Sequence, residues 1–333
     1  MVSKSVLASY VLGRSGLGTL LRHTGGHRGF VALNYHRIGY PAECEFDRGV
    51  FSATPEAFER QLEFLKKECD VILPADIKDL PRWGRGNYAM ITFDDGYRDN
   101  HDIALPLLRA ANLKAVFFIA TGFMDRTRLS WWDEIAWMVR TSARQFIGPT
   151  AMLPACLTLG EPDRQQAIDS LLAICRHRTP DLVDRFLDVM AEATGSGRAP
   201  ASLAQEVWMN WDMVRNLHEA GMVVGGHTVH HPILSFLTRP EQAREITGCA
   251  RAVEQHLKVP MRVFSYPRGK PDAFNCDTRA CLADANVEYA FSYYGGMNLP
   301  APFDRYDVRR VSVDAGAPLE HFEAMVTLPR IFA

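Results

Sequence analysis

Two neighbouring carboxylates stand in the run Phe93-Asp94-Asp95-Gly96, and three histidines stand in a distant second run, His227-Thr228-Val229-His230-His231-Pro232. Each run follows a stretch that reads as a β-strand, Asn87 to Phe93 and Met222 to Gly226. Together they offer an Asp/His/His metal site and one spare carboxylate able to act as a base, a set suited to metal-assisted hydrolysis. Adjacent residues of a strand point to opposite faces, so Asp94 and Asp95 can share a site only where the strand ends and turns. Gly96 permits that turn. His227 and His231 are four apart, a spacing that brings two imidazoles together on a helical turn. His227 and His230 form an alternative pair on spacing alone. Taken singly, each run also reads as a solvated Asp-Gly turn or as surface histidines. What joins them is place: both fall at the C-terminal ends of strands, where α/β barrels build their active sites.

The elements that must position these residues alternate along the chain. Strands are expected at Phe30 to Tyr35, Tyr88 to Phe93, Ala115 to Ala120, Met222 to Gly226, Arg262 to Tyr266, Glu288 to Tyr293 and Asp307 to Val313. Between them lie helical patterns. Thr54-Pro55 opens one that runs to about Glu68, with Phe58, Leu62 and Leu65 on one face. Others span Ile103 to Ala111, Trp211 to Ala220 with Gly221 as its stop, and Thr278 to Ala285. Thr238-Arg239-Pro240-Glu241 is a capping box for a helix reaching about Leu257. Seven or so parallel strands separated by helices predict an α/β fold closed into a (β/α) barrel. From about Asp133 to Gly197 the rhythm breaks into helical patterns without a convincing strand. Thr179-Pro180 starts one of these, with Leu182, Phe186, Val189 and Met190 on a face and Gly195 past its end. The expected organisation is an N-terminal helical leader over 1–28 and a main domain over 29–333, with a helical insertion at about 133–207. The insertion reads equally as a lid beside the site and as packing against the outer helices.

Composition narrows the function. The 333 residues carry a net charge of −2 without a Lys/Arg block, so a nucleic-acid partner is not expected. Seven cysteines are scattered and lack a C-x-x-C pair, which reads as reduced thiols in a cytoplasmic protein. Val6 to Leu12 is apolar but short, and no small-residue cleavage site follows it. No later stretch approaches the roughly 20 apolar residues of a spanning helix. Val6, Leu7, Tyr10, Val11, Leu17, Leu20 and Leu21, with Arg14 and Arg22 between them, make one amphipathic face. Packing on the domain is the preferred reading of that face; the second is peripheral contact with a membrane surface.

The residues also carry a family resemblance. Thr92-Phe93-Asp94-Asp95-Gly96 and His227-Thr228-x-x-His231-Pro232 resemble the first two motifs of polysaccharide deacetylases of the NodB-homology type, carbohydrate esterase family four. Phe264-Ser265-Tyr266-Pro267-Arg268-Gly269 resembles the third motif. Asn34-Tyr35-His36-Arg37 and Arg309-Arg310-Val311-Ser312-Val313 are similar to the opening segment and closing strand of exopolysaccharide-type members. The resemblance implies a deformed (β/α) barrel and a divalent metal, usually zinc, held by Asp95, His227 and His231. It implies Asp94 as general base, and hydrolysis of N-acetyl groups on an amino sugar, oligosaccharide or polysaccharide.

Departures from the motifs sharpen the expectations. Ser265 stands where the third motif has an arginine, so the group that would orient Asp94 is missing from its usual place, and Arg268 stands at an aromatic position. The backbone N–H of Arg268, after Pro267, remains a candidate oxyanion donor. The Leu-x-His motif that supplies the general acid is absent; His321 reads as part of an ordinary helix start. His36, at the end of the first strand, is the candidate acid, with a core histidine as the alternative. Trp131 and Trp132 could stack on a sugar face, but anchoring the insertion by packing is the preferred reading. A deformylase, another amide or imide hydrolase, and a silent carbohydrate-binding protein are the rival functions.

Overall fold

The computed structural model describes residues 26–332 apart from 126–127, 177 and 179. Nearly all of the expected 1–28 leader, with its amphipathic face, lies outside the described residues, as does Thr179. The chain divides into two compact units. One takes in the described residues up to Gly39, Phe51–Met124 and Met209 onward; the other takes in Tyr40–Val50 and Asp125–Trp208.

The first unit is built on seven parallel strands: β1 Phe30–Tyr35, β2 Tyr88–Phe93, β3 Val116–Ile119, β4 Val223–Gly226, β5 Val263–Ser265, β6 Tyr289–Phe291 and β7 Arg310–Ser312. Their order is β6-β5-β4-β3-β2-β1-β7. Val308, just before β7, donates its N–H to Ala290 and accepts that of Ser292, at 2.9 Å each. The ring is thereby nearly closed, a deformed (β/α) barrel with helices around it. A short strand at Asp70–Val71 pairs with β2 beside the ring.

Strands buried on both faces read as unbroken apolar runs, and β1 (FVALNY) is wholly buried. The period of two then sorts its side chains. Val31, Leu33 and Tyr35 face the outer helices, where the Tyr35 ring lies 5.2 Å from that of Phe58 and its hydroxyl donates to Gln61. Phe30 and Ala32 face inward with Met90, Val116, Phe118, Val263, Phe291 and Val308, an apolar floor. Two residues further along four of these strands stand Asn34, Thr92, Ser265 and Arg310. A polar layer therefore sits over an apolar one, at the end of the barrel where the strands stop.

Local signals set the helices. Thr54 accepts the N–H of Ala57 and Pro55 opens the helix Pro55–Glu68. Glu241 accepts the N–H of Thr238 at 2.8 Å before the helix Arg239–Leu257, and Gly221 at φ +80° ends Trp211–Glu219. Two boundaries differ from expectation. The helix expected at Thr278 spans Cys276–Asp284, because Asn275 caps it by accepting the N–H of Thr278. The helix expected from Ile103 begins at Leu105 after a π-turn, Asn100–Ala104. Pro106 explains the shift: it has no N–H and its ring crowds the carbonyl four residues back.

The second unit packs the helices Trp131–Thr141, Arg164–Cys175, Pro180–Thr194 and Ala201–Val207 around Ile135, Met138, Ile168, Leu171, Phe186 and Met190. Arg198 holds the buried Glu134 at 2.7 Å. The sequence showed no strand here, yet Phe146–Ile147 and Leu157–Thr158 pair antiparallel. Two residues a side are too few for periodicity to register. Trp132 is buried and packs its ring edge-on to Trp131 at 5.3 Å, which fits an anchor rather than a sugar platform. All seven cysteines are free. Among the described residues no helix is long and apolar enough to cross a membrane.

Close strand packing generates the first prediction. A Cβ on Gly225 of β4 would lie 2.6 Å from the Phe118 ring and 2.7 Å from the carbonyl oxygen of Val263. Gly225→Ala should destabilise the barrel by about 1–3 kcal/mol through overpacking, read as a lower urea midpoint. An unchanged midpoint would mean that β3, β4 and β5 have slack the packing denies.

Candidate functional site

The two runs that carry Asp94, Asp95 and the histidines meet at the C-terminal ends of β2 and β4. Asp94 continues the inward face of Met90 and Thr92, so strand parity alone aims it into the barrel mouth. Asp95 would point away, but it takes φ +77° and Gly96 takes φ +94°. The turn expected at Gly96 therefore begins one residue earlier, at an aspartate, a type that tolerates the left-handed region better than most. Both carboxylates are buried, at 3% and 2% exposure.

His227 follows β4 directly, and its Nδ1 donates to the carbonyl of Ser265 at 2.8 Å. That bond leaves the Nε2 lone pair facing Asp95. The Nε2 atoms of His227 and His231 each lie 3.3 Å from Oδ1 of Asp95, and the three ligand atoms fall within 4.8 Å of one another. The histidine pair is thus His227 and His231, while His230 is exposed and bonds Glu245. Spacing had suggested a helical turn. The segment is instead a loop with Thr228 at φ +66° and His231 at φ +60°.

These three residues fit a divalent cation. Oδ1 of Asp95 is buried and receives no hydrogen bond. A carboxylate oxygen facing two imidazole nitrogens needs positive charge between them, and second-shell bonds such as His227 to Ser265 are the usual support of a ligand histidine. Burial opposes charge on Asp95, yet His227 and His231 hold its carboxyl well below the usual range. Burial also opposes an imidazolium at His227, but Asp94 and Asp95 outweigh it and raise its pKa. At His231 burial prevails and lowers it.

Asp94 has the partner that sequence reasoning missed. Arg310 of β7 donates to both of its carboxylate oxygens at 2.7 Å. Arg310 is fully buried, and its remaining bonds reach Asn34, Thr92, the carbonyl of Ser292 and the hydroxyl of Ser265. Ser265 and Asn34 also donate to Asp94, at 3.2 and 3.3 Å. The orienting arginine is therefore present, on another strand, and Ser265 at its usual place leaves room for it. A signal existed: Arg310 keeps the inward parity of Val308, a fully buried apolar residue two positions before it. Burial pushes the Asp94 pKa up, but Arg310 and then His227 overcome it and hold the carboxyl below its ordinary value.

The other candidates are placed as follows. His36, half-buried just beyond β1, lies near enough to Asp94 and Asp95 to lower the pKa of both. Its ring meets Tyr293 edge-on at 5.8 Å, and Ser52 and Asn100 bond its backbone N–H and carbonyl. Arg268 takes φ +61° just past β5, and its guanidinium pairs with Asp272 at 3.1 Å.

Comparison with known proteins gives the family and supports the fold. A family model described as polysaccharide deacetylase matches residues 84–145 and 178–290, just over half of the chain, and includes Asp94, Asp95, His227 and His231. The chain belongs to the polysaccharide deacetylase family, and it is a hydrolase of carbon–nitrogen bonds other than peptide bonds. Three solved structures share its fold. IcaB from Ammonifex degensii is 17% identical at a TM-score of 0.57, covering 92% of this chain and 98% of its own. The Streptococcus pyogenes deacetylase PplD, in complex with acetate, is 16% identical at 0.56, covering 86% and 93%. The BpsB deacetylase domain from Bordetella bronchiseptica is 17% identical at 0.54, covering 86% and 97%. No curated protein matches the chain.

The buried pair makes a second prediction. Arg310→Met strands the Asp94 charge and should cost about 3–5 kcal/mol of stability. Adding Asp94→Asn should recover much of that loss, because no charge then remains unpaired. Purely additive losses in chemical denaturation would show that the two side chains are not coupled.

Proposed function

We propose that this hydrolase removes N-acetyl groups from an amino sugar within a saccharide, with Asp95, His227 and His231 as ligands of one divalent ion. The observation that carries the reading is the Asp95/His227/His231 triad beside a carboxylate locked by Arg310. A bound ion such as zinc would supply Lewis-acid polarisation and a more acidic water. Asp94, held ionised and pointed by Arg310, takes the proton of the attacking water. Its lowered pKa makes it a modest base, which suits a water already acidified. His36 hands a proton to the departing nitrogen, and the Arg268 N–H donates to the developing oxyanion. Arg310 is the positioning residue for Asp94. An exopolysaccharide-type substrate is supported by the opening segment around His36 and the closing strand around Arg310.

Mass spectrometry of N-acetylated and N-formylated saccharides incubated with the metal-loaded protein tests the reading. Loss of acetyl is expected; loss of formyl alone, or of neither, overturns it. Asp94→Asn should keep its metal and lose about 10²–10⁴-fold in turnover, because an amide cannot take the proton. Metal lost from that variant would move Asp94 among the ligands. His231→Ala should lose the ion while His230→Ala keeps it, and equal retention contradicts the ligand set. His36→Gln should slow amide hydrolysis by a comparable factor yet scarcely affect an aryl acetate, whose leaving group needs no proton. Equal losses on both substrates would return His36 to a core role.

A further inference from the structure

The loop between the two histidine ligands is held at most of its polar backbone atoms. On one side the N–H groups of Thr121 and Gly122 donate to the carbonyls of Thr228 and Val229, at 3.1 and 2.8 Å. Gly122 has to be a glycine there, since a Cβ would lie 2.6 Å from the Val229 oxygen. Within the loop, the Thr228 hydroxyl accepts the N–H of His231 at 2.9 Å. On the other side stands Glu245, on the helix Arg239–Leu257, which buries Ile246, Cys249 and Val253 completely. One oxygen of its carboxylate, Oε2, accepts the N–H groups of both Val229 and His230 at 2.9 Å. The other, Oε1, takes the Nδ1 of His230 at 2.8 Å.

We propose that Glu245 is a positioning residue for the metal centre: through the backbone of Val229 and His230 it sets where His231 presents its Nε2. The inference rests on the proposed ligand set. Thr228 and His231 both take left-handed backbone conformations. Such residues persist where surrounding bonds over-determine them. Two N–H groups in this loop have Glu245 as their acceptor, so truncating it frees the loop at the position next to His231. The His230 ring contributes little, because its side chain is 62% exposed against 15% for Glu245 and an exposed pair of this kind is weak. The positioning therefore belongs to Oε2 and the backbone, not to the ion pair.

The experiment is a zinc titration of chelator-stripped protein against a chromophoric competitor, with the melting temperature of the metal-free form measured in parallel. Glu245→Ala should weaken zinc binding by about 10–100-fold, the usual effect of removing a supporting group behind a ligand. Glu245→Gln should recover most of the affinity, since its amide oxygen can accept the same two N–H groups. His230→Ala should bind as the wild type does. Glu245→Asp, which keeps the charge but falls short of the loop, should follow alanine and serves if that variant fails to fold. A wild type without zinc affinity overturns the ligand set and this inference together. Tight binding by the wild type and equally tight binding by Glu245→Ala or Glu245→Asp overturns this inference alone.

Discussion

A guanidinium sealed inside the barrel, paired with Asp94, is the interaction on which the rest of the site depends. A buried ion pair of this kind returns its desolvation cost only when its geometry is good and its remaining donors are satisfied. Arg310 meets both conditions, with acceptors on β1, β2 and β5 and on the Ser292 carbonyl just past β6. It is thereby both a structural tie and an electrostatic one. It links the strand that nearly closes the ring to most of the others, and it holds the Asp94 carboxyl ionised at the barrel mouth. Ser265 joins the two halves of the site, since its hydroxyl touches Asp94 and Arg310 while its carbonyl orients His227.

The backbone shows where the fold stores strain. Non-glycine residues with positive φ include Asp95, Thr228, His231 and Arg268, all in the loops after β2, β4 and β5. Asn112 and Lys258, by contrast, cap helices, an ordinary use of that conformation. The apolar floor below and the hydrogen-bonded loops above hold the four strained residues. Clustering of this kind is expected where function, not local preference, dictates the backbone.

Much of this was legible in the sequence, for identifiable reasons. Buried parallel strands announce themselves as apolar runs, so β1 and β2 were read to within one residue, and capping at Thr54 and Thr238 marked two helices. Asp94, Asp95, His227 and His231 stood out because their types and their places at strand ends coincide. Arg310 did not, because an arginine in a strand gives no hint of a partner far along the chain; only parity with Val308 and the serine at position 265 pointed to it. Glu245 was equally silent, one acidic residue in a helix rich in charge. The histidine spacing was right and its conformation wrong, since four residues can be closed by a helical turn or by a loop with two left-handed residues. The hairpin at Phe146–Ile147 and Leu157–Thr158 was too short to leave a pattern.

The central claim is that one divalent ion, held by Asp95, His227 and His231, turns the Arg310-locked Asp94 into a working base for deacetylation. Titrating zinc into chelator-stripped protein while following acetate release from an N-acetylated oligosaccharide tests it directly. Activity should be absent at the start, rise with added metal and level off at one equivalent per chain. Full acetate release from the stripped protein, or none at any metal concentration across a panel of N-acetylated saccharides, would contradict the account.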